Sequence, residues 1–141
     1  MKLGKIKKFL KNYLWISAII IIFLIFRIYA TIKYFFNGDT AWARRYNGTG
    51  NGIDYATAIA VEQSGIVCVT GWSYNNNKNS DFVTIEYYMF GDTYWIKAYN
   101  SLGNNDDSAT DIAIGRYGNV YVTGASRVSG TSWDFVTIKY R

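Results

Sequence analysis

Ten carboxylates and no histidine set the chemistry open to this chain of 141 residues. Without histidine it lacks the commonest general base at neutral pH and the commonest ligand for transition metals. The acids are Asp39, Asp54, Glu62, Asp81, Glu86, Asp92, Asp106, Asp107, Asp111 and Asp134. Six of them form three pairs 53 positions apart: Asp39 with Asp92, Asp54 with Asp107, and Asp81 with Asp134. Carboxylates that recur with a period serve the turns that recur with it, because each copy must satisfy the same backbone N–H groups. A pair built for glycoside hydrolysis would break that symmetry, and no two acids stand out in such roles. No catalytic residue is expected.

Other groups are weighed in the same way. Asn104-Asn105-Asp106-Asp107, with Asp111 nearby, is rich in oxygen ligands but lacks the alternating order of a calcium loop. It reads as a solvated turn, and neither a metal nor a cofactor is expected. Cys68 is the single cysteine, occupies the place that Tyr121 takes 53 residues later, and reads as a buried, inert thiol. Asn47-Gly48-Thr49 fits a glycosylation sequon, a triplet common by chance. Trp42 and Trp95, like Tyr46 and Tyr99, recur with the period and read as packing residues. Trp72, Tyr74 and Trp133 have no aromatic counterpart in the other copy, and they border equivalent loops. These three are the candidate ligand contacts.

The elements that position these residues follow from the period itself. Gly38–Tyr88 and Gly91–Arg141 align without a gap, with 25 of 51 positions identical. Repeats of about 50 residues, rich in β-branched and aromatic residues, point to stacked sheet units. Ala56–Val61 and Ile66–Gly71 read as a hairpin, with Gly65 supplying a positive φ as Gly118 does in the second copy. Phe82–Tyr88 and Thr93–Asn100 read as two further strands, with Val83, Ile85 and Tyr87 on one face. That makes four strands per repeat, the content of one propeller blade.

Ala58-Ile59-Ala60-Val61, Gly65, Val67, Val69-Thr70-Gly71, Asp81–Ile85 and Tyr87 carry a resemblance to a known family. Their counterparts are Ile112-Ala113-Ile114, Gly118–Gly124, Asp134–Ile138 and Tyr140. Together they resemble the seven-bladed beta-propeller repeat. The resemblance implies an all-β fold, export from the cytoplasm, and a structural or binding role without a defined activity. The expected architecture is two four-stranded antiparallel blades of an incomplete propeller, repeat 1 over 38–90 and repeat 2 over 91–141. Two blades leave both outer faces uncovered. Either the chain is a truncated piece of a longer propeller, which is the favoured expectation, or several copies assemble and share strands. The rival function is a fragment of a larger secreted enzyme acting on polysaccharide or another polymer.

Residues 1–37 differ from the rest. They carry seven Lys or Arg and no acid, whereas Gly38–Arg141 carries eight bases and ten acids. The net charge of +5 thus belongs to the leader, and the repeats lack the basic stripe of a nucleic-acid binder. Five lysines precede the uncharged run Tyr13–Phe26, and Leu14–Ile32 would reach about 28 Å as a helix if Arg27 snorkels. A transmembrane helix over about 13–32 is therefore expected, with the amino terminus cytoplasmic and the repeats extracytoplasmic. The alternative is a cleaved signal peptide, although Ile28-Tyr29-Ala30 lacks the small residue three before the cut. The chain should sediment with membranes and resist carbonate extraction. Amino-terminal sequencing that starts at Thr31 would convert the anchor into a signal peptide.

Overall fold

Short runs of β-branched and aromatic residues, broken by Gly, Asn and Asp turns, become nine strands in the computed structural model, which describes residues 30–130 and 132–141. They are β1 (Ala30–Tyr34), β2 (Thr40–Arg45), β3 (Asp54–Val61), β4 (Val67–Tyr74), β5 (Ser80–Tyr87), β6 (Thr93–Tyr99), β7 (Asp107–Ile114), β8 (Val120–Arg127) and β9 (Trp133–Tyr140). A 3₁₀ turn, Arg116–Gly118, separates β7 from β8. All pairings are antiparallel and build three open sheets: β1-β2, β3-β4-β5-β6 and β7-β8-β9. No α-helix occurs among the described residues, and no helix there is long and apolar enough to cross a membrane.

The sheets do not follow the repeat frame. The central sheet takes three strands from the first repeat and β6 from the second, so the chain passes from one repeat to the next inside a sheet. The second repeat contributes three strands, not four, to the last sheet. The division expected at residue 38 falls in the turn between β1 and β2. Ala30–Ile32, the end of the expected transmembrane span, lie in β1, while residues 13–29 lie outside the described structure. The physical reason is a third copy of one strand. Thr31-Ile32-Lys33-Tyr34 repeats Thr84-Ile85-Glu86-Tyr87 at the same spacing of 53, and β2 is available to pair with it.

Register repeats as faithfully as sequence. Thr31, Ile32, Lys33 and Tyr34 face Arg44, Ala43, Trp42 and Thr40, and each of these pairs recurs 53 residues later between β5 and β6. Even the register shift before Tyr34 recurs before Tyr87. Gly65 and Gly118 have φ of +87° and +73°, as their turns require.

Two apolar layers lie between the sheets. Trp42 joins Val67, Val69, Val83, Ile85 and Tyr87 between the first and central sheets. Cys68 and Phe82 of the central sheet join Ala109, Ile112, Val120 and Val122 of the last. Equivalent rings meet in both layers: Trp42 with Tyr87 at 5.7 Å, and Trp95 with Tyr140 at 5.3 Å. The alternation of β5 explains the sharing, since Val83, Ile85 and Tyr87 point one way and Phe82 the other.

Gly124 shows why the layers can approach. A Cβ there would lie 2.7 Å from Phe82 Cζ and would run into the Ser108 carbonyl. Gly71, its counterpart, would run into the Tyr55 carbonyl. Both glycines serve close approach, and neither has a positive φ. Gly124→Val should therefore lower stability by about 3 kcal/mol, through overpacking against backbone and a buried ring. An unchanged thermal melt would show that the sheets tolerate a side chain at this contact.

Candidate functional site

The two ends of the sheets differ in chemistry. The turns after β1, β3, β5 and β7 gather at one end, where Lys33 Nζ and Trp42 Nε1 both donate to the Met89 carbonyl and Gly118 lies near Glu62. Phe35, Phe36, Tyr88, Phe90 and Tyr117 are exposed there. The loops at the other end are rich in Gly, Asn and Asp, and β1 begins at that end.

Asp54, Asp81 and Asp107, three of the period-matched aspartates, hold these loops. Asp54 accepts from the Gly48 N–H and the Ser73 hydroxyl. Asp107 accepts from the Ser101 N–H at 2.7 Å, the same contact one period later. Asp81 accepts from Asn75 Nδ2 through both oxygens. Asp106 takes the Ser80 N–H and hydroxyl, joining the central sheet to the last. Asp111, within β7, accepts from the N–H of Ile112. No group of three or more Asp, Glu or Cys among the described residues is placed to hold a metal ion. One pair departs from the pattern. Ser73 meets Asp54, whereas Asp107 Oδ1 and Ser126 Oγ are buried on register-paired residues without a partner among the described residues.

Of the three candidate ligand contacts, the structure brings two together. Trp72 and Tyr74 meet edge to face at 5.8 Å, and Tyr55 stacks on Trp72 at 5.6 Å with its plane only 3° away. Tyr55 was missed in the sequence, although the β3–β4 register that places it opposite Trp72 follows from the hairpin. Trp133 is 52% exposed on β9, opposite Arg127, and no ring contact among the described residues links it to the trio. Tyr55 and Trp72 border a small open groove between the first and central sheets, whose walls include Arg44, Tyr46, Gly71 and Tyr87. Burial and the nearby Asp54 carboxylate raise the Tyr46 phenol above its usual range, and burial does the same for Tyr87. Both stay neutral hydrogen-bonding groups. The groove thus offers ring faces and neutral hydroxyls, with the fixed charges of Asp54 and Arg44 engaged by neighbours.

Cys68 and Glu86 form a buried acidic couple between the central and last sheets. The thiol donates to Glu86 Oε2 at 3.5 Å. Burial first, then the neighbouring carboxylate, drives the thiol far upward, so no thiolate nucleophile forms. Burial also raises Glu86 above its usual value of 4.5.

No family model matches the chain, and no curated protein matches it.

Because Glu86 is harder to ionise folded than unfolded, the stability it contributes is complete below pH 4.5 and is lost as pH rises through its folded value. Glu86→Gln keeps the shape and cannot ionise. It should raise the melting temperature at pH 7 by a few degrees and flatten the fall in stability above pH 4.5. A variant less stable than the parent at pH 7 would contradict the burial argument.

Proposed function

We propose that this chain is a β-propeller-repeat module, held at the outer surface of a membrane by its amino-terminal segment, with a structural or binding role and no catalysis. One observation carries the reading: the strand register and a tryptophan–tyrosine ring contact recur at the 53-residue spacing, and Asp54 and Asp107 each accept from the same backbone N–H of their copy. Sheets stacked face to face through a recurring tryptophan–tyrosine contact behave as blades, and blades are scaffolds that present their loops. The five lysines before Tyr13–Phe26 support the membrane placement. With Ala30 already in β1, the blades would follow a membrane segment with almost no linker.

The binding part of the reading rests on Tyr55, Trp72 and Tyr74. Flat, partly exposed rings beside a groove with neutral hydroxyls suit the apolar face of a sugar ring. Membranes bearing the full chain would be incubated with labelled cell-surface polysaccharides, and retention and cleavage would both be measured. Trp72→Ala should lower affinity about tenfold, the loss of one stacking contact of about 1.4 kcal/mol. Trp133→Ala should leave it unchanged. Equal loss in both variants would remove the ring trio as the site, and shortening of any polymer would replace the reading by that of an enzyme fragment.

A further inference from the structure

Strands β1 and β9 share a tetrapeptide: Thr31-Ile32-Lys33-Tyr34 and Thr137-Ile138-Lys139-Tyr140. Their situations differ. β1 is paired with β2, whereas the edge of β9 away from β8 has no partner strand among the described residues. That free edge is the one through which β5 holds β6 and β1 holds β2. We infer that β9 of one copy takes the place of β1 beside β2 of a second copy, joining chains head to tail by strand exchange.

Each contact that the exchange would make exists in the structure or has a counterpart 53 residues away. β9 would face β2 in the register that Thr31, Ile32 and Lys33 use now, because the side chains are the same. Lys33 is buried and its amine donates to the Met89 carbonyl of the adjacent sheet. Lys139, now exposed with its amine 5.5 Å from the Tyr121 ring, would reach the Met89 carbonyl of the second copy. Phe135 gives the strongest argument. It is 88% exposed, while its counterpart Phe82 is wholly buried, paired with Tyr99 at 5.6 Å and seated over Gly124. In the exchanged pair Phe135 would stand opposite Tyr46 of the second copy and over its Gly71, in the groove already described. Tyr46 and Gly71 are the counterparts of Tyr99 and Gly124, 53 residues earlier.

The energetics favour exchange where chains are concentrated. One strand pairing is lost and one of the same sequence is gained, so the ladder contributes almost nothing either way. The gain is burial of Phe135, set against the entropy of association. A contact between two different surfaces of the same chain is heterologous, so it generates closed rings or open chains.

The test locks β1 in place. Thr31 and Arg44 are register partners, and such Cα atoms lie about 4.5–5.5 Å apart, within reach of a disulfide. The full chain carrying Thr31→Cys and Arg44→Cys would be sized by light scattering in mild detergent, oxidised and reduced, beside the parent. The expected result is an oligomer for the parent and the reduced variant, and a single chain once the disulfide forms. A second variant, Phe135→Glu, alters a side chain that the single chain leaves exposed, and should lower the oligomer fraction at least tenfold. Oligomers that survive the lock, an unaffected Phe135→Glu variant, or a parent that is a single chain would each overturn the exchange.

Discussion

The approach of Phe82 to Gly124 sets the geometry on which the other contacts depend. A ring from one sheet reaches the bare backbone of the next, and β7 crosses close enough to β8 that no Cβ fits between. At that spacing Ala109, Ile112, Val120 and Val122 close around Phe82, and the layer excludes water. The same spacing brings Thr57 Oγ1 within 2.8 Å of the Ala109 carbonyl and the Ser80 N–H within 3.0 Å of Asp106. Polar links at the loop end therefore follow from apolar contact in the middle. A larger residue at Gly124 would disturb both.

The same constraint orders the function. Sheets held at fixed spacing place their loops at fixed spacing, and Asp54, Asp81 and Asp107 then hold their loops against the sheets. What varies between copies is free to specialise. Trp72 and Tyr74 stand where the second copy has Ala125 and Arg127, and Tyr55 stands where it has Ser108. The ring trio is thus a local departure from a repeated frame, which is where a binding surface on a scaffold is expected.

Much of this was legible in the sequence, for physical reasons that differ from residue to residue. The strands around Val69 and Val83 declared themselves because alternation and turn glycines agree with the period. Gly65 needed a positive φ, and its place between two apolar runs said so. Gly71, the last residue of its strand in the sequence reading, lies inside β4, as Gly124 lies inside β8, each beside a close backbone contact. Nothing local distinguishes those two cases; only the neighbouring strand does. Strand β1 was missed because Ala30–Ile32 continues an apolar run, and hydropathy outweighed the echo of Thr84-Ile85 in Thr31-Ile32. The trio was half visible, since Trp72 and Tyr74 are unmatched aromatics, while Tyr55 enters through cross-strand register. Trp133 shared their lack of a counterpart but lies on another sheet.

The most direct measurement is a double-mutant cycle between Phe82→Leu and Gly124→Ala, read by denaturant unfolding. If the ring on the bare glycine sets the sheet spacing, the smaller side chain makes room for the added methyl. The two changes together should then cost less than their separate costs, by about 1–3 kcal/mol. Costs that add to within about 0.5 kcal/mol would show that the two residues act independently, and that the sheets are held at this distance by something else.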